Sequence, residues 1–101
     1  MFTNKSSEAF YNKGIIHYEK GEYDLAIDLF KQAIEKNSSN PQFYYNLGLA
    51  YVKTEEYDLA IDNFKTTISL NSKGPYWLFE TAWAITEWVT HDQPSSFGQM
   101  E

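Results

Sequence analysis

At 101 residues with 43% hydrophobic and 18% aromatic content, the chain has the composition of one small folded domain. A net charge of -6, with all eight basic residues lysines, argues against nucleic acid, whose phosphates need a basic face. The absence of cysteine excludes disulfides, thiol nucleophiles and thiolate metal sites.

Residues 1–7 hold no apolar stretch of the secretory kind, and no run approaches the roughly 18 apolar residues of a membrane span. The expectation is a soluble, cytoplasmic protein that binds neither nucleic acid nor membrane. Residues 1–6 read as a flexible N-terminus. A first helix is predicted over about residues 8–20, capped by Ser6 or Ser7, with Phe10, Gly14 and His17 or Tyr18 at helical spacing. Gly21 stops it. A second helix, Tyr23–Lys36, gathers Tyr23, Ala26, Ile27, Phe30, Ala33 and Ile34 on one face, leaving Asp24, Asp28, Lys31 and Glu35 to water. Residues 37–41 form a turn in which Pro41 opens the next helix, since its missing N–H has no partner to lose there. Helices over about 42–54 and Tyr57–Leu70 follow, then a turn at 71–75 and a fifth helix over about 76–90. Residues 91–101 have breaker composition and read as a disordered tail.

The heptapeptide Glu22-Tyr23-Asp24-Leu25-Ala26-Ile27-Asp28 recurs unchanged at 56–62, 34 residues later. In that register Tyr11 pairs with Tyr45, Asn12 with Asn46, Gly14 with Gly48, Phe30 with Phe64 and Ile34 with Ile68. A fixed period of this length marks stacked units that bury one another's apolar faces. Two units with this spacing, carrying Tyr44, Leu47, Gly48, Tyr51, Ala60 and Phe64 in the second and Phe10, Gly14, Ala26 and Phe30 in the first, resemble the tetratricopeptide repeat (TPR) family. Lys13 and His17 replace that pattern's Leu and Tyr in the first unit. Glu55 in place of the turn glycine Gly21, and Thr67 in place of Ala33, are expected to loosen the second. The resemblance implies an all-α superhelix, an α-solenoid of five helices: repeat 1 at 7–40, repeat 2 at 41–74 and a half-repeat capping helix at 75–90. Proline at 94 occupies the position of the next small residue, where it would break a sixth helix.

The family's geometry implies a concave groove lined by first helices. Carried onto this sequence, it places Tyr11, Asn12, Ile15, Tyr18, Tyr45, Asn46, Leu49, Phe79, Glu80 and Trp83 on the inner wall, with a peptide or helix of a partner protein as ligand. Asn12 and Asn46 can each donate to and accept from a peptide backbone. Inheritance through duplication explains the same pairs without any ligand. The lysine/asparagine clamp that grips chaperone C-terminal carboxylates is matched only at Asn46; Tyr11, Ile15, Tyr76 and Glu80 stand at its other positions, and Glu80 would repel a carboxylate.

The fifth helix is apolar nearly all round, and Trp77, Thr81, Ala84 and Trp88 form a stripe on the side expected to face a missing second helix. The tail around Phe97 folded back, a second copy of the chain forming a homodimer, or a different protein would each cover it, the second copy being the favoured cover; a partly wedged, ordinary cap is the plainer alternative. His17 reads as a packed interface residue, and His91 has no convergent partner. The pairs Asp24/Asp28 and Asp58/Asp62 lie on outward faces near helix starts, where the helix dipole favours them. No catalytic constellation, metal site or cofactor motif is present in the sequence, so a non-catalytic interaction module is expected.

Overall fold

The computed structural model describes residues 2–71 and 76–92, with the side chains of 2–4, 77 and 90–92 left aside. Within them the chain forms five helices: α1 (Phe2–Glu19), α2 (Tyr23–Lys36), α3 (Pro41–Lys53), α4 (Tyr57–Leu70) and α5 (Tyr76–Asp92). The expected turn at 72–75 and the tail at 93–101 lie outside the described residues.

α1 opens earlier than the sequence suggests. Residues 2–6, expected to be flexible, are helical from Phe2, and Ser7 is a fully buried residue inside the helix rather than its cap. The contrast with α3 gives the reason. Pro41, one period after Ser7, disfavours helical backbone in the residue before it, so Asn40 caps α3 and its Oδ1 accepts from the Gln42 N–H at 2.9 Å. Nothing in 2–7 imposes such a stop.

Successive helices pack as neighbours, α1 on α2, α2 on α3, α3 on α4 and α4 on α5. The core is a column of alternating small and large residues: Ala26, Phe30 and Ala33 of α2, Leu47, Ala50 and Tyr51 of α3, Ala60 and Phe64 of α4, and Leu78 and Ala82 of α5. The paired glycines hold this column together. A methyl placed on Gly14 would lie 2.6 Å from the Phe30 ring, and one on Gly48 would lie 2.6 Å from the Phe64 ring. Each first helix therefore meets its own second helix through a glycine under an aromatic edge, which sets how closely the two backbones approach.

The turns within the two repeats, between α1 and α2 and between α3 and α4, are the same structure built from different residues. Gly21 donates to the Tyr18 carbonyl at 3.0 Å and Glu22 to that of His17 at 2.9 Å; Glu55 donates to Val52 at 3.0 Å and Glu56 to Tyr51 at 2.9 Å. This pair of bonds is a Schellman turn, whose penultimate residue adopts left-handed backbone. Gly21 does so at φ 83° and Glu55 at φ 64°, so the second turn keeps its geometry despite a side chain that disfavours it. Thr67 does not loosen the core: its buried hydroxyl donates to the Asn63 carbonyl at 2.9 Å and lies 3.4 Å from that of Pro41.

Candidate functional site: the first-helix wall and the face of α5

On α1, the half-buried Tyr11 ring packs between Phe30 of α2 at 5.8 Å and Phe43 of α3 at 4.9 Å. Its hydroxyl crosses to α3 and donates to Asn46 Oδ1 at 2.9 Å. Tyr45 repeats the arrangement one period on, its ring 6.1 Å from Phe64 as Tyr11's is from Phe30, so the two tyrosines share one side of the stack. Tyr18 packs edge-on to Tyr23 at 5.3 Å and lies close enough to Tyr45 to feel its charge. Burial pushes the phenols of Tyr11, Tyr18 and Tyr45 above their ordinary range, in Tyr18 with further contributions from Tyr23 and Tyr45. Ile15 and Leu49 are half-buried against the same core.

Two expectations change at this wall. Tyr11 does not present its polar tip to a ligand, because the hydroxyl ties the first helices of the two repeats together. The asparagines are not equivalent: Asn46 uses its acceptor internally, whereas Asn12 is exposed and makes no side-chain hydrogen bond among the described residues. The sequence showed the repeated Tyr–Asn pair but not that one repeat's tyrosine would reach the next repeat's asparagine.

α5 departs from the periodic expectation. Phe43, Leu47 and Ala50 are buried in α3, but Thr81 is only half-buried and Ala84 is exposed one period later; the side chain of Trp77 lies outside those described. The fully buried stripe of α5 is instead Leu78, Ala82 and Val89. Of these, Ala82 falls one period after buried Gly48, whereas Leu78 and Val89 fall one period after half-buried Tyr44 and exposed Glu55. The Trp77, Thr81, Ala84 and Trp88 stripe is therefore not the side facing a missing second helix. That side corresponds to Gly48, which meets Phe64, and its counterpart Ala82 is fully buried. Of the α5 residues expected on the inner wall, Phe79 is half-buried and stacks on Tyr76 at 5.9 Å, while Glu80 and Trp83 are exposed. The Glu80 carboxylate, by its charge and by a hydrogen bond, raises the Tyr76 phenol.

His17 Nδ1 lies 2.6 Å from Glu22 Oε1, and that hydrogen bond holds the Glu22 carboxyl below its usual range. The nearby Lys20 charge adds to this, and no cluster of three or more His, Cys, Asp or Glu suited to a metal occurs among the described residues. A feature the sequence reading missed is a cleft of about 350 Å³ at the opposite end of the stack, lined by Lys13, Ile16, His17, Leu25, Asp28, Leu29 and Gln32. Its signal was in the sequence: Lys13 and His17 stand where repeat 2 buries Leu47 and Tyr51, so repeat 1 carries polar groups at two positions that are core in repeat 2.

A TPR repeat family model matches residues 14–55, and a tetratricopeptide repeat model matches residues 41–73. The two matches together run from Gly14 into the end of the second unit, over helices whose glycine–phenylalanine contacts repeat at 34 residues. The chain belongs to the tetratricopeptide repeat family. α5 lies beyond both matches. No curated protein matches the chain. TPR repeats are generally protein–protein interaction modules and are typically non-catalytic. No helix among the described residues is long and apolar enough to cross a membrane.

Proposed function

We propose that this TPR protein is a non-catalytic module that captures a peptide or helix of a partner protein along the first-helix wall. The observation that carries the reading is the strip of half-buried Tyr11, Ile15, Tyr18, Tyr45 and Leu49, apolar area kept partly in water on one side of two linked helices. Aromatic surface with a few directed polar groups suits peptide recognition. In this reading Asn12 donates to and accepts from the ligand backbone, and Asn46 offers its amide N–H group. Phe79, Glu80 and Trp83 extend the wall at the α5 end. An acidic chain without arginine favours an apolar or mildly basic ligand over an acidic tail.

The test is to pan a displayed random-peptide library on the full chain and measure selected peptides by fluorescence anisotropy. Asn12→Ala combined with Leu49→Glu is expected to weaken them at least about tenfold, a loss of about 1.4 kcal/mol. Circular dichroism checks that the variant remains folded. Failure to select any peptide, or affinities unmoved by the double substitution, rules the wall out.

A further inference from the structure

The outward face of α5 is unusually uniform. Tyr76, Glu80, Trp83, Ala84, Glu87 and Trp88 are all exposed, and they recur at the three- and four-residue steps of one helix face, opposite buried Leu78, Ala82 and Val89. Tyr76 is 68% exposed, Trp83 54% and Trp88 43%, more than most tryptophan in a packed domain shows to water. The small Ala84 falls between Trp83 and Trp88 around the helix, so the ridge of another helix can approach there. Charge selects which helix. Tyr76–Asp92 contains Glu80, Glu87 and Asp92 and no lysine, so this one element carries a formal -3 of the chain's -6.

We propose that this face docks a basic amphipathic helix of another protein. Its apolar residues would pack over Ala84 and Trp88, and its Arg or Lys side chains would lie over the Trp83 ring within reach of Glu80 and Glu87, each one turn from it. A cation is attracted both by the face of an indole and by a carboxylate one turn away, and the two add when they flank the same position. A second copy of the chain is the poorer occupant. Symmetric pairing brings a surface against itself, and here that sets Glu80 and Glu87 against the same carboxylates. The expected homodimer through α5 therefore has a charge penalty that a basic partner does not. Glu80 and Trp83 also form the α5 end of the proposed wall, so the two assignments are told apart by Leu49 on α3, which only the wall uses.

The probe is a synthetic Leu/Arg amphipathic helix of ~18 residues, long enough at 1.5 Å per residue to lie along the face. It is titrated into the full chain with tryptophan fluorescence and anisotropy as readouts, beside a Leu/Glu peptide of the same pattern. The Leu/Arg peptide is expected to bind at least tenfold more tightly, with affinity falling as salt rises. Trp83→Ala and Trp88→Ala should each weaken it severalfold. Glu80→Lys with Glu87→Lys should reverse the preference toward the Leu/Glu peptide, a gain that misfolding cannot imitate. Leu49→Glu on α3 should leave it unchanged. Equal binding of both peptides, indifference to the Lys substitutions, or loss with Leu49→Glu would overturn the proposal. So would a concentration-dependent dimer in sedimentation that Trp88→Ala dissolves, since the occupant would then be a second copy.

Discussion

Glu55 is the residue on which local and global preferences disagree most clearly. Its φ of 64° lies in the region that L-residues avoid at a cost of roughly 1–2 kcal/mol, yet its N–H makes the same turn bond as Gly21. Replacing it with glycine removes the strain and loses little, because the side chain is exposed. Part of the gain is returned through the greater freedom of glycine in the unfolded chain. Glu55→Gly is therefore expected to stabilise the fold by about 0.5–1 kcal/mol, read as a higher urea midpoint at unchanged slope. A lower midpoint would mean that Glu55 makes a compensating interaction outside this turn. The sequence pointed to this position through the missing glycine, but it could not tell a retained turn from a loosened one. Backbone hydrogen bonding decided that, and composition does not encode it.

At the level of elements, α2, α3 and α4 were legible almost to the residue. Each carries a single apolar face bounded by a turn signal: Gly21, the 37–40 turn, Pro41. α1 was legible at its end and not at its start, since Phe2–Ser7 has neither a breaker nor a strong apolar period and tertiary packing of Ser7 settles the matter. α5 was legible as a helix but not as an oriented one. With Trp77, Leu78, Phe79, Ala82, Trp83, Ala84, Ile85, Trp88 and Val89 spread around it, several stripes compete for burial. The compact residues Leu78, Ala82 and Val89 are fully buried, and bulky Trp83 and Trp88 remain exposed. This orientation has a direct test. Val89→Asp puts a charge at a fully buried site and is expected to cost more than about 2 kcal/mol. Ala84→Asp, on the exposed face, should change stability by less than about 0.5 kcal/mol. Thermal melts showing the reverse order would return α5 to the orientation that strict periodicity from α3 implies.

For the molecule as a whole, the joint between repeats rests on phenols, and that gives the stack a characteristic pH response. In a two-repeat array each interface is a large fraction of the total stability. Tyr11 bridges α1 and α3 by ring packing and by its bond to Asn46, while Tyr18 and Tyr45 are half-buried against the same core, all with folded-state pKa values raised above 10.0 chiefly by burial. A phenol that holds its proton more tightly when folded contributes stability fully below pH 10.0, where both states are protonated. That contribution disappears as pH rises past 10.0 through the higher folded values, because the unfolded chain ionises first. The melting temperature should therefore be level with respect to these groups at neutral pH and fall above pH 10.0, with the phenolate absorbance of the folded protein lagging that of the urea-unfolded chain. Tyr11→Phe separates this from general alkaline effects. Near neutral pH it should lose about 1 kcal/mol for the missing hydrogen bond to Asn46. Above pH 10.0 the gap to wild type should close, since wild type is losing what the variant never had. A gap that stays constant with pH would show that the Tyr11 hydroxyl does not couple proton binding to the joining of the repeats.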